Sequence, residues 1–127
     1  MRATLQAYID GFNASDAARL AALFADDARI EDPVGGPSIV QGRAAIEAFY
    51  QQAVGVVDRL DLVAPIRGSH GRAAAMAFDI LATREGQRTK IRAIDVMEFD
   101  AHGKIVDMKA YHGPSDLTLE GESGRAG

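Results

Sequence analysis

The fold is decided by residues 23–35, which read LFADDARIEDPVG. From Ala28 to Asp32 this stretch alternates between apolar and polar side chains, which is typical of a strand with one buried face. The strand stops at Pro33, because proline cannot donate a ladder hydrogen bond. Side chains of a strand point alternately to its two faces, so Asp32 shares the apolar face of Ile30. Asp32 is thus either an acid on an inner face or an ordinary turn residue before a proline.

Helical periodicity surrounds this strand in the first half of the chain. The spacing predicts a first helix over residues 5–12 and a second, after a polar break, that carries Leu20, Leu23 and Phe24. A third helix is predicted from about Arg43 to Val54 and ends at a glycine.

The second half of the chain alternates with the period of a strand instead. The predicted strands cover residues 60–66, 74–82, about 88–99 and 105–112, with turns between them. Helices followed by antiparallel hairpins predict an α+β domain, with the helices packed on one face of a curved sheet. We expect one domain over residues 1–113 and a loose polar tail over residues 114–127.

Composition excludes several classes of function. The chain has 127 residues and a net charge of −4, so there is no electrostatic reason to expect nucleic acid or an anionic membrane as partner. It has no cysteine, which rules out disulfides and thiolate chemistry. No histidine pair has metal-ligand spacing and no apolar run is long enough to span a membrane, so we expect a soluble cytoplasmic domain without a metal.

Two further polar residues lie in apolar rows. Asp95 shares its strand face with Ala93 and Met97, and Tyr8 lies in the apolar stripe of the first helix. An isolated buried carboxyl usually takes up a proton, and a neutral acid beside a tyrosine hydroxyl makes a pair of donors suited to an oxyanion. The alternatives are that Tyr8 is only a core residue and that Asp95 pairs with an arginine.

Several motifs resemble those of bacterial Δ5-3-ketosteroid isomerases, within the superfamily named after nuclear transport factor 2. Leu23-Phe24-Ala25-Asp26-Asp27-Ala28 marks the superfamily, and Glu31-Asp32-Pro33-Val34-Gly35 is more specific. The resemblance continues through residues 42–50, 93–95 and 103–108. It implies a cone-shaped fold in which three N-terminal helices pack on a strongly curved, mostly antiparallel sheet.

The resemblance also implies roles for individual residues. Asp32 would be the general base, Tyr8 and a protonated Asp95 the oxyanion hole, and Tyr50 a supporting hydrogen-bond partner of Tyr8. A second supporting tyrosine of some relatives is replaced by Phe24. The substrate would be a 3-keto-Δ5 steroid, a small hydrophobic ketone, with no cofactor, and the protein would be a homodimer.

Apolar side chains on the inner faces are candidates for the wall of the substrate cavity, although each could equally be plain core. They are Phe49, Met76, Phe78, Met97, Phe99 and Met108. His112 stands where relatives tend to have a bulky apolar residue, and it either contacts a distal polar group of the ligand or lies at the cavity rim.

Two other functions fit the same resemblance. One is another enzyme of this fold, such as a polyketide cyclase or an epoxide hydrolase, which uses a different arrangement of acids and bases. The other is a non-catalytic ligand-binding or dimerisation module, since a fold alone does not determine function.

Overall fold

The computed structural model describes residues 1–120 and contains three α-helices, a seven-stranded sheet and one short 3-10 turn. The elements are α1 (Arg2–Asn13), α2 (Ala17–Ala21), β1 (Phe24–Glu31), β2 (Ile39–Gln41), α3 (Arg43–Val54), β3 (Val57–Leu62), β4 (Ala73–Arg84), β5 (Gln87–Phe99), β6 (Ile105–Tyr111), the 3-10 turn (Pro114–Asp116) and β7 (Leu117–Leu119). No helix among these residues is long and apolar enough to cross a membrane.

The helices form where the apolar spacing predicts them. In α1 the buried stripe includes Leu5, Tyr8 and Phe12, which lie three or four positions apart on one helical face. Helix α2 begins at Asp16, whose carboxylate accepts a hydrogen bond from the backbone N–H of Arg19 over 3.0 Å. The stripe of α3 buries Ile46 and Tyr50.

The sheet is mostly antiparallel and curved, with strand order β2-β1-β6-β5-β4-β3. Strands β4 and β5 form a long hairpin whose turn residues, Glu85 and Gly86, both have positive φ angles (51° and 78°). Such a two-residue turn matches the twist of the strands, and glycine adopts the conformation without a steric cost. Strand β1 pairs in parallel with β6, which places Ile30 opposite Met108.

The concave face of the sheet and the helices enclose the core. On β5 the side chains of Ala93, Asp95 and Met97 are all at most 5% exposed, whereas Ile94 on the opposite face is 48% exposed. The assignment of Asp95 to an inner face is therefore confirmed. The α+β class, with helices on one face of a curved sheet, is confirmed as well.

Two predicted elements end at other residues in the structure. The second helix ends at Ala21, and Phe24 instead begins β1, where it pairs with Ile105 of β6. The strand predicted over residues 60–66 ends at Leu62, because Pro65 cannot donate to a ladder. Alternating apolar residues in both places hid these breaks.

The expected loose tail is wrong for its first part. Residues Pro114–Asp116 form the 3-10 turn, and Leu117–Leu119 form β7, which pairs antiparallel with the start of β5. Strand β5 extends beyond β6 in this region and offers its free backbone groups to β7. Residues 121–127 of the predicted tail lie outside the described residues.

Candidate active site

A cavity of about 360 Å³ lies between the helices and the concave face of the sheet. Its volume is within the range of small-molecule sites, which is about 300–1,000 Å³. Its wall is mainly apolar, and the polar side chains Tyr8, Asp32 and Asp95 all reach it. Three residues that come from α1, the end of β1 and the middle of β5 are thus brought to one place.

Tyr8 lies at the helical side of the cavity and is supported by Tyr50 of α3. The Tyr50 hydroxyl donates a hydrogen bond to the Tyr8 hydroxyl over 3.0 Å, and the two rings pack edge to face. Both residues are at most 3% exposed. Because the Tyr8 oxygen accepts from Tyr50, its own hydrogen is available to a ligand. The position predicted for the supporting tyrosine is therefore the one that contacts Tyr8.

Asp95 is the buried acid of the site, with 2% of its surface exposed. Burial raises the pKa of Asp95 well above its usual value, and the negative charge of Asp32 raises it further. No arginine within residues 1–120 forms an ion pair with it, so the alternative of an arginine partner finds no support there. This shift favours the protonated acid, which is able to donate a hydrogen bond.

Burial and the neighbouring acids also affect the pKa values of the two tyrosines. Burial raises the pKa of Tyr8, and the neighbouring Tyr50, Asp95 and Asp32 raise it further. Burial likewise raises the pKa of Tyr50. Both hydroxyls therefore keep their protons, and the site offers neutral donors beside one carboxylate.

Asp32 lies at the cavity wall immediately after β1, and its side chain is 27% exposed. Its Oδ1 atom is 3.0 Å from Nε2 of His112, which also lines the cavity. The inner position of Asp32 follows the strand alternation, since Ala28 and Ile30 on the same face are fully buried. His112 thus contacts the predicted base rather than standing apart from it at the rim.

The predicted apolar wall divides into two groups. Phe49 and Phe78 line the cavity. Met76, Met97, Phe99 and Met108 lie in the hydrophobic core and not on the cavity wall, so their assignment to the wall is not supported. Strand alternation identifies the concave face, but it does not show how far along each strand the helices cover that face.

Two polar residues of the wall were missed in the sequence. Arg84 lies at the end of the inward row of β4 that contains Phe78, Ile80 and Ala82. Gln52 lies one helical turn after Phe49 on α3. Extending each period by one step would have found both, and they add polar groups to the cavity wall.

Comparisons with known proteins agree with this architecture. The model of a family described as the SnoaL-like domain matches residues 5–108. The chain belongs to this family. It is also 39% identical over 119 residues to the steroid Delta-isomerase of Nocardioides simplex, with 94% of each chain covered. The resemblance to ketosteroid isomerases is thereby confirmed, and the relationship supports an isomerase.

The solved structure of another enzyme is also similar. This protein is SalBIII, described as an epoxide hydrolase/cyclase-like enzyme in pyran ring formation in the polyether salinomycin. The TM-score is 0.83 at 27% identity, with 91% of this chain and 92% of that chain covered. The fold therefore accommodates different chemistry, and the reaction has to be argued from the side chains of the cavity.

Proposed function

We propose that the protein is a steroid Δ5-3-ketoisomerase, which moves a C=C bond from Δ5 to Δ4. The observation that carries this proposal is the meeting of Tyr8, Asp95 and Asp32 at one apolar cavity. Two neutral donors and one carboxylate are what enolisation of a ketone needs. The 39% sequence identity to a steroid Delta-isomerase supports the same substrate class.

The reaction consists of two proton transfers by one carboxylate. The carbonyl oxygen of the ketone accepts hydrogen bonds from Tyr8 and from neutral Asp95. Asp32 removes a proton from C4, and the electron pair of the C–H bond moves to form a dienolate whose charge lies on that oxygen. Asp32 then returns the proton to C6, which leaves the conjugated enone and restores the carboxylate. No external acid, base or redox group takes part.

The energetics favour this division of roles. A positioned general base typically contributes about 10²- to 10⁴-fold in rate. Removal of one oxyanion donor typically costs about 10²- to 10³-fold in kcat. An ionised Asp95 would repel the dienolate, whereas the neutral acid stabilises it, and burial favours the neutral form. This pairing of a base with a neutral acid is the scheme of the ketosteroid isomerases.

An absorbance assay tests the proposal directly. Purified protein would be mixed with 5-androstene-3,17-dione, and the ultraviolet absorbance of the conjugated enone would be followed over time. We expect a catalysed rise that Asp32→Asn removes. No rise above the uncatalysed rate would refute the isomerase assignment.

The alternative functions make different predictions in the same experiment. A non-catalytic binding module would bind 2-naphthol, a phenol that resembles the dienolate, and show no turnover. An enzyme of the polyketide-cyclase or epoxide-hydrolase type is favoured by the likeness to SalBIII, and it would open an epoxide without isomerising the ketone. The joint presence of Tyr8, Asp32 and Asp95 argues against both.

The predicted homodimer and cytoplasmic location remain proposals. Ile94 and Tyr111 are 48% and 45% exposed on the outer face of the sheet, and apolar groups on such a face suit a dimer contact. Light scattering of the purified protein, with Ile94→Glu for comparison, would measure the oligomeric state. A monomeric wild type would contradict the dimer.

A further inference from the structure

The side chain of His112 meets Asp32 through strand pairing. Strand β6 runs parallel to β1, and the backbone N–H of Val34 donates to the carbonyl of Ala110 over 2.8 Å just beyond the paired residues. His112 lies an even number of residues after Met108 and Ala110, so its side chain points to the same inner face. Its ring therefore lies beside Asp32 at the cavity. Nε2 and Oδ1 lie 3.0 Å apart, which is a good hydrogen-bond distance.

This contact makes the two oxygens of the carboxylate unequal. Oδ1 is occupied by His112, whereas Oδ2 has no hydrogen-bond partner among residues 1–120. A carboxylate with both oxygens unrestrained would rotate about its last side-chain bond, and proton transfer is sensitive to small misplacements. A hydrogen bond to one oxygen holds the plane of the group.

We propose that His112 is a positioning residue for Asp32: its Nε2–H holds Oδ1 and leaves Oδ2 to carry the proton between the two substrate carbons. The inference rests on the proposed isomerase reaction. It assigns to a residue near the end of the fold a role in the reaction itself rather than in contacts with the distal end of the ligand.

Charged and titratable side chains lie on both sides of His112. Asp32 is the direct contact, and Asp95, Tyr8 and Arg84 share the cavity wall. On its other side His112 borders a surface groove whose titratable or charged members are Asp79, Arg92, Tyr111 and Asp116. Asp79 is paired with Lys90 over 3.5 Å, and the Asp116 carboxylate accepts from the backbone N–H of Gly113 over 2.7 Å.

Two variants of His112 separate positioning from packing. His112→Phe keeps a ring and removes the donor, and we expect kcat to fall about tenfold while the affinity for 2-naphthol changes less than twofold. His112→Gln keeps an N–H donor. We expect it to recover most of the wild-type kcat.

Ring ¹⁵N spectra provide a readout that needs no turnover. The ring nitrogens of His112 should shift when Asp32 is replaced by alanine, whereas His70 and His102, which lie in turns away from the cavity, serve as unchanged controls. An unchanged kcat in His112→Phe, with an active wild type, would overturn the role of His112 alone. Equal losses of kcat and 2-naphthol affinity would also overturn it. An inactive wild type would instead refute the isomerase function.

Discussion

The hydroxyl of Tyr50 donates to the hydroxyl of Tyr8 over 3.0 Å, and neither residue is more than 3% exposed. A hydroxyl that accepts one hydrogen bond becomes a better donor in the next, because the chain of bonds is polarised. Tyr50 thus acts on the proposed oxyanion hole without lining the cavity. The same hydroxyl lies 3.7 Å from Sδ of Met108, a weak alternative acceptor.

Tyr50→Phe should weaken catalysis moderately. The change removes one hydrogen bond and leaves the Tyr8 hydroxyl in place, so we expect kcat to fall about 3- to 10-fold, corresponding to about 1 kcal/mol. Steady-state kinetics of the enone assay would measure the effect. Tyr111→Phe, at an exposed tyrosine outside the cavity, is the matched control and should leave kcat unchanged. A Tyr50→Phe enzyme with full activity would show that Tyr8 needs no support.

Asp32→Asn should abolish most of the turnover. An amide cannot accept a proton at neutral pH, so we expect a loss in kcat of about 10²- to 10⁴-fold. Binding of 2-naphthol should persist, because Tyr8 and Asp95 still donate to its oxygen. Asp27→Asn, on the exposed part of β1, is a control that should retain activity. Equal loss of binding and turnover in Asp32→Asn would point to structural damage instead.

Tyr8→Phe and Asp95→Asn should each cost less than removal of the base. Tyr8→Phe removes one oxyanion donor and Asp95→Asn replaces the acid with a weaker amide donor, so we expect losses of about 10- to 10³-fold in kcat. Fluorescence titration with 2-naphthol should show weaker binding in both, unlike Asp32→Asn. A fully active Tyr8→Phe/Asp95→Asn double variant would rule out an oxyanion hole at these residues.

The buried acid Asp95 should also make the free energy of unfolding depend on pH. The pKa of Asp95 is raised in the folded state, whereas an unfolded aspartate titrates near about 3.9. Between these two values the folded chain holds a proton that the unfolded chain releases. Its contribution to the free energy of unfolding therefore falls as pH rises, by about 1.4 kcal/mol per pH unit in that window.

Urea denaturation of the wild type and of Asp95→Asn at several pH values would measure this slope. Asparagine does not titrate, so the stability of the variant relative to the wild type should increase as the pH is raised above about 4. A difference that stays constant with pH would show that Asp95 is ionised in the folded protein.

The division between core and cavity wall can be tested with one residue from each group. Met97 is fully buried in the core, and Met97→Ala should reduce the free energy of unfolding by about 2–5 kcal/mol. Phe49 is half-buried and lines the cavity, so Phe49→Ala should raise the KM for the ketone with a smaller loss of stability. Denaturation and kinetics on both variants would distinguish the roles, and a reversed pattern would contradict the assignment.

The sequence predicts the inner positions of Asp32 and Asp95 because local alternation is enough to assign a face. It predicts Tyr8 for the same reason, since the apolar stripe of α1 is continuous around it. The contact of His112 with Asp32 joins residues 80 positions apart through a parallel strand pair, and no local period contains that information.

The sequence does not predict which residues of the inner face line the cavity, for a related reason. Met97 and Phe99 share a face with Asp95, and only the placement of the helices separates core from wall along that row. Strand β7 was missed because the composition after Pro114 is polar and small. Its pairing depends on the free edge that β5 provides beyond β6.

The register of β6 determines which of its side chains lies beside Asp32. Residues 100–104 connect the two strands through a turn in which Gly103 has a φ of +81°. The pairing of β6 with β5 then shifts once, between Ile105 and Asp107, and continues in register to Tyr111. A shift of β6 by one residue relative to its neighbours would exchange the two faces of the strand. A phenol, Tyr111, would then replace the imidazole of His112 at Asp32. The register of β6, set by a remote turn and by the pairing shift after Ile105, therefore decides whether an imidazole or a phenol contacts Asp32 in the proposed site.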